Sequence, residues 1–298
     1  LRPLAVATLL LAFSSADAGA ADGQPLKVVT SFTILGDMTR RIAGDGDGVV
    51  VTTLVGLDGD AHVYQPTPTD AKAVAEADLL VVNGLGFEGW MDRLAKAAAY
   101  KGPVVTASEG VTTRQLIEDG KKETDPHAWQ DLANGRRYVT NIAEALAQAD
   151  PAHAATYHAN AERYGAELAE LDIWVRGEIA AVPKAKRKII TSHDAFGYFS
   201  AAYGVTFLAP LGVSSEAEVT AKDLAHLTKQ VKASHIKALF LENMSDPRLV
   251  AQLAKDAGVA IGGKLYVDAL SPADGPAPSY VAMFKNNVAL LKDGMLKN

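Results

Sequence analysis

An α/β fold of two lobes, each a mainly parallel sheet flanked by helices and joined by one long rigid connector helix, is predicted by three observations. Short β-branched runs alternate with amphipathic segments between Leu26 and Val105. The same alternation restarts at Lys188. Between the two, apolar residues recur at 154, 157, 161, 164, 168, 171, 175, 179 and 182, steps of three and four that mark one face of a single helix.

In the first lobe, Leu26 to Phe32 reads as a strand and Ile34 to Ala43 as a helix. The run Gly44-Asp-Gly-Asp-Gly48 turns into a second strand, Val49 to Val55. A loop from Gly56 to Pro66 carries His62 and ends at Thr67-Pro68-Thr69-Asp70. A capping hydroxyl followed by proline in the first turn marks a helix start, predicting a helix through Ala77. Leu79 to Val82 is the third strand, Phe87 to Ala99 the next helix and Val104-Val105 the next strand. Strands alternating with helices in this way imply a parallel sheet covered on both faces.

Residues 109 to 124 form a charged, irregular excursion that reads as a solvated loop. It leads to Asp125-Pro-His-Ala-Trp129, where another helix begins. The connector is expected to run uninterrupted from a cap at Asp150 to Pro183, about 31 residues or roughly 46 Å at the α-helical rise. The second lobe then offers strands at 188–192, 205–208, 238–241 and 264–267. Helices are expected at 195–203, 221–233, 247–257 and 280–291. The domain division is therefore 26–149, 150–183 and 186–298.

Residues 1–21 are of another kind. Arg2 precedes an apolar run from Leu4 to Phe13, then small residues around Ala16-Asp-Ala18. That is the charged start, apolar core and cleavage pattern of a signal peptide, too short for a permanent bilayer span. Export to the periplasm is expected. The sequence contains no cysteine, so the expected product is free rather than lipid-anchored, and any metal site must use histidine and carboxylate ligands. A formal net charge of −6 argues against nucleic acid as a partner, which requires clustered cations.

Three of the seven histidines lie at helical positions, His153, His158 and His226, where a solvated face explains them; His235 precedes a strand and is expected to be exposed. His62, His127 and His193 instead sit in loops or junctions where strands have delivered the chain to a sheet's carboxyl edge, the place where open α/β sheets bind ligands. Asp268 ends another predicted strand. Two of these four come from each half, so facing lobes would bring them together. Three imidazoles and a carboxylate suit Zn²⁺ at about 2.0–2.2 Å. No short H-x-H or H-E-x-x-H pair is present, so spacing alone is weak support, and a histidine at such a junction is also a common structural residue. Gly84-Leu-Gly-Phe-Glu-Gly89 matches the dinucleotide fingerprint G-x-G-x-x-G. It follows the third strand rather than the first, and Glu88 would set an anion beside a pyrophosphate, so a tight turn is the better reading.

Residues 26 to 298 resemble the solute-binding proteins of bacterial zinc and manganese ABC importers, the cluster A-I family. The motifs that carry the likeness are Asp60-Ala-His-Val-Tyr-Gln-Pro-Thr-Pro-Thr-Asp70, Asn83-Gly-Leu-Gly-Phe-Glu-Gly-Trp90, Asp125-Pro-His-Ala-Trp129, Thr191-Ser-His-Asp-Ala-Phe-Gly-Tyr-Phe199 and Tyr266-Val-Asp-Ala-Leu270. The resemblance implies metal ligands at His62, His127, His193 and Asp268, no catalytic residues, and Zn²⁺ as the transported ligand. Its implied partners are an inner-membrane ABC permease with a cytoplasmic ATPase, and it leaves room for a periplasmic zinc metallochaperone; the protein itself is expected to be a monomer. Gln65 stands where the family often has Glu, a peripheral change. The 109–124 segment lacks the histidines that many zinc-type members carry there. Manganese-type relatives usually have Glu at position 193, so His193 points to zinc. A manganese receptor and a zinc hydrolase are the competing readings.

Overall fold

A computed structural model of the protein describes residues 24–46, 48–118, 121–210, 212, 221–233 and 236–298. The expected signal peptide, 1–21, and His235 lie outside the described residues.

β1 (Leu26–Phe32) runs through the middle of the first sheet, with its last five residues buried. Burial on both faces explains why its sequence is a near-continuous apolar run instead of an alternation. It pairs in parallel with β2 (Val49–Val55) on one side and β3 (Leu79–Val82) on the other, and β4 (Val104–Thr106) extends the sheet beyond β3. α1 (Thr33–Ala43) follows β1 and buries Ile34, Leu35, Met38 and Ile42. α2 (Pro68–Ala75) starts on a capping box between Thr67 and Asp70. α3 is only Met91–Ala97, shorter than the Phe87–Ala99 expected. The missing turn is spent on the glycine-rich bend, where Gly84, Leu85 and Gly86 all take positive φ.

The 109–124 segment is not simply a solvated loop. β5 (Gln115–Glu118) and β6 (Lys121–Thr124) form an antiparallel pair, with Gln115 in register with Thr124. A 3₁₀ turn at Ala128–Gln130 leads into α4 (Leu132–Ala149), capped by Asp131.

The connector departs from the uninterrupted helix expected. Asp150 makes no side-chain cap bond, and Pro151–His153 form a 3₁₀ turn before α5 (Ala154–Ala180). The Asp150 carboxylate is taken instead by Tyr157 Oη and His153 Nδ1, each at 2.6 Å. Tyr157, Tyr164, Leu168, Leu171, Val175 and Ile179 are buried as the periodicity requires. They seat α5 against α1, α4 and the last helix.

In the second lobe β7 (Lys188–Ile190) is central. Its sheet runs β10-β9-β7-β8, all parallel, with β8 at Thr206–Leu208, β9 at Leu239–Glu242 and β10 at Ile261–Leu265. α6 (Gly197–Tyr203), α7 (Ala221–Ala233), α8 (Pro247–Ala257) and α9 (Tyr280–Lys297) cover it. A single apolar core runs from β1 and α1 through α5 to α9, and a smaller one lies under α7 and α8 around Leu227, Val231, Val250 and Leu253.

Polar ties also cross between the lobes. Leu270 N donates to Thr33 Oγ1 and Tyr280 N to Asp37 Oδ2, both at 2.9 Å. Trp129 Nε1 and Gln130 Nε2 donate to the one carbonyl of Val267, at 3.0 and 3.2 Å.

Candidate metal centre

Parallel strands that all point the same way deliver several loops to one edge of their sheet. His62 sits in the loop after β2, with its amide bonded to Asp60 Oδ1 at 2.9 Å and the preceding Ala61 carbonyl held by Trp90 Nε1 at 2.8 Å. His127 immediately precedes the 3₁₀ turn that follows β6. His193 comes three residues after β7, and Asp268 three after β10.

The structure brings all four sequence-predicted residues together, with one ligand-type atom from each inside a sphere of mutual distances no greater than 4.8 Å. His127 Nε2 lies 3.2 Å from His62 Nε2 and 3.3 Å from His193 Nε2. Asp268 Oδ2 lies 3.3 Å from His193 Nε2 and 3.6 Å from His62 Nε2, and its Oδ1 lies 3.8 Å from His127 Nε2. Four donors bonded to one tetrahedral ion at about 2.0–2.1 Å stand about 3.3 Å apart, close to the separations of His127 Nε2 from His62 and His193 Nε2 and of His193 Nε2 from Asp268 Oδ2. His127, His193 and Asp268 are fully buried, while His62 is partly open. Both carboxylate oxygens of Asp268 are buried without a hydrogen-bond partner. A buried carboxylate left in that condition is costly unless a cation meets it.

Two carboxylates missed in the sequence stand behind the imidazoles. Asp125 Oδ1 accepts both the amide and Nδ1 of His127, each at 3.0 Å. Asp125 is 1% exposed, buried just past the charged 109–124 segment. Glu242, at the end of β9, meets His193 Nδ1 at 2.5 Å. An acid closing the buried run Leu-Phe-Leu is the signal that singled out Asp268, and it applied equally here.

Electrostatics divide the histidines. Burial pushes the His62 pKa down, outweighing the attraction of the Asp268 carboxylate. Burial also opposes protonation of His193, but the Glu242 and Asp268 carboxylates overcome it and hold its pKa well above the usual imidazole value. Burial disfavours the charge on Asp268 as well, and the imidazoles of His193 and His127 reverse the balance, holding its pKa far below the carboxylate range.

The glycine-rich bend holds no vacant anion cradle. Glu88 folds back into it, its Oε1 accepting from Ser31 Oγ and Asn83 N at 2.6 Å and its Oε2 from Gly84 N at 3.1 Å. The side chain of Asn83 in turn donates to the Pro126 carbonyl at 3.0 Å, bracing the residue before His127. Phe87 packs edge-on to His62, ring centres 4.7 Å apart. The bend therefore shapes the wall of the site. His153 and His158 are exposed, paired with Asp150 and Glu144, and take no part. A cavity of about 730 Å³ opens beside His62, walled by Tyr64, Gln65, Trp90 and Arg93 on one side and by Lys122 to Thr124 of β6 on the other.

Residues 28–294 match the family model described as "Zinc-uptake complex component A periplasmic". The chain belongs to this family. It is a solute-binding protein of the metal ABC transporter type, in a family of periplasmic or extracytoplasmic proteins whose transporters supply a membrane permease and an ATPase. The manganese-binding lipoprotein MntA of Halalkalibacterium halodurans is 36% identical over 92% of this chain and 90% of its own. The iron ABC transporter substrate-binding lipoprotein MtsA of Streptococcus pyogenes is 34% identical over 97% and 95%. In structure, the periplasmic zinc-binding protein TroA of Treponema pallidum superposes with a TM-score of 0.86 at 31% identity, over 92% of this chain and 99% of that one. Two of these relatives are named lipoproteins.

Proposed function

We propose that the protein is the zinc receptor of its importer. It holds Zn²⁺ between the lobes 26–149 and 186–298 on His62, His127, His193 and Asp268, and hands it to the membrane permease. The observation that carries this reading is the meeting of three Nε2 atoms and one unpartnered buried carboxylate at tetrahedral-edge separations. Three nitrogens and one oxygen suit a borderline ion such as Zn²⁺ better than Mn²⁺, which favours oxygen-rich sites. The apolar start of residues 1–21 is consistent with export.

A manganese or iron receptor is the second reading, favoured by the names of MntA and MtsA. A zinc hydrolase fits less well, because Asp268 takes the fourth position that a catalytic zinc keeps for water. The test is titration of the metal-free mature protein with Zn²⁺, Mn²⁺ and Fe²⁺, singly and in competition, alongside the four single alanine variants. Preference for Mn²⁺ in direct competition overturns the zinc assignment. Undiminished zinc affinity in His193→Ala overturns the ligand set.

A further inference from the structure

Glu242 is 3% exposed and comes from β9, a different strand from the one that delivers His193. Its Oε1 accepts two backbone amides, Ser192 N at 2.9 Å and His193 N at 3.2 Å. Its Oε2 faces His193 Nδ1 at 2.5 Å and Ser245 Oγ at 3.1 Å. An ionised carboxylate can only accept, so the proton of a neutral His193 must lie on Nδ1. That leaves the lone pair on Nε2, the atom 3.3 Å from both His127 Nε2 and Asp268 Oδ2. A neutral imidazole binds metal only through its unprotonated nitrogen, and the partner of the other nitrogen decides which that is.

We infer that Glu242 is the positioning residue that fixes the tautomer of His193, presenting its Nε2 lone pair to the metal. This rests on the ligand set proposed above.

The assignment has a consequence that simple structural support does not. In Glu242→Gln, one oxygen becomes an NH₂ group. The two backbone amides are obligate donors and keep the remaining oxygen on their side. The NH₂ must then face His193 Nδ1, which can meet it only as an acceptor. The ring proton moves to Nε2 and points into the site. Ser245 Oγ adapts by accepting. The near-isosteric glutamine is therefore more damaging than alanine, which leaves the ring free to keep either tautomer.

Asp125 provides the contrast. Its Oδ1 alone serves both His127 donors, while its Oδ2 lies 3.6 Å from Arg114 Nε. In Asp125→Asn the oxygen can stay with His127, and the His127 tautomer survives.

The experiment measures Zn²⁺ affinity by chelator competition for the wild type, Glu242→Ala, Glu242→Gln, Asp125→Asn and His193→Ala, with folding checked by circular dichroism. Nitrogen-15 NMR of the histidine rings reports the tautomers. Glu242→Ala is expected to bind about 10–100-fold more weakly than wild type, as for loss of an outer partner of a ligating histidine. Glu242→Gln is expected to bind more weakly still, with the metal-free His193 ring, at a pH high enough for it to be neutral, carrying its proton on Nε2 instead of Nδ1, while Asp125→Asn keeps the proton of His127 on Nδ1. Glutamine binding as well as or better than alanine overturns the inference. If His193→Ala keeps wild-type affinity, it is the ligand set that fails. The wild type supplies a check that needs no variant: the His193 Nδ1 proton should be far downfield and protected, and free exchange with water overturns the assignment.

Discussion

His193 Nε2 stands 3.3 Å from Asp268 Oδ2, in a site where neither oxygen of Asp268 has a hydrogen-bond partner. The two groups face each other across a space the size of an ion, both carried by the second lobe on loops after β7 and β10. Substituting Asp268 by Asn should weaken zinc binding by more than roughly 100-fold, beyond the usual loss of an outer partner. It should also make the metal-free protein less stable near neutral pH, because the carboxylate charge that His193 and His127 favour has gone. Thermal melts with and without zinc check both halves. Saturation at 100 times the dissociation constant stabilises the wild type by about 2.7 kcal/mol, a shift the variant should lose.

The pH dependence of binding should extend above the ordinary imidazole range. In the metal-free protein the pKa of His193 is raised, since Glu242 and Asp268 outweigh burial, so zinc must displace a proton there even near neutrality. Apparent affinity should therefore rise with pH past about 6.5 and level off only above the raised value. A chelator-competition series between pH 5.5 and 8.5 that is flat above 6.5 contradicts this.

Stability of the metal-free protein should show two opposed trends. The raised His193 pKa contributes stability that is fully present below about 6.5 and is lost as pH rises through the folded value. The depressed Asp268 pKa contributes stability that is present above about 3.8 and is lost as pH falls through its folded value. Urea melts across pH, compared with His193→Ala and Asp268→Ala, separate the two.

Glu88→Ala should destabilise the first lobe, because it strands the buried Asn83 amide and Ser31 hydroxyl and frees the partly buried Gly84 amide. Each unsatisfied buried group costs about 1–3 kcal/mol. Chemical denaturation showing no loss of stability would mean that the bend is held by other contacts.

His193→Glu should lower the Zn²⁺ to Mn²⁺ affinity ratio by about tenfold or more, by replacing a nitrogen donor with a hard oxygen. Paired titrations with the two ions read the ratio directly. An unchanged ratio would mean that selectivity resides elsewhere.

Much of this was legible in the sequence because it depended on local signals. The strands declared themselves as β-branched runs, and the inward face of α5 through its three-and-four spacing. His62, His127, His193 and Asp268 stood out as polar residues where strands had just ended. What escaped notice depended on tertiary neighbours. The charged composition of 115–124 concealed a strand pair whose stability lies in cross-strand partners. Asp150 resembles a helix cap, but its carboxylate is drawn off by Tyr157 and His153. Asp125 and Glu242 were overlooked because a buried acid and a solvated one look alike until the histidine beside each is in place.

The two hydrogen bonds on the Val267 carbonyl limit how the cargo can leave. Trp129 and Gln130 follow His127, and Val267 precedes Asp268, so swinging the lobes apart would tear this knot before relaxing the grip on the metal. The loop bearing His62 is free of it and borders the open cavity. With His127 and Asp268 bound into this knot and His193 tied to Glu242, His62 is the ligand of the four that meets the open cavity.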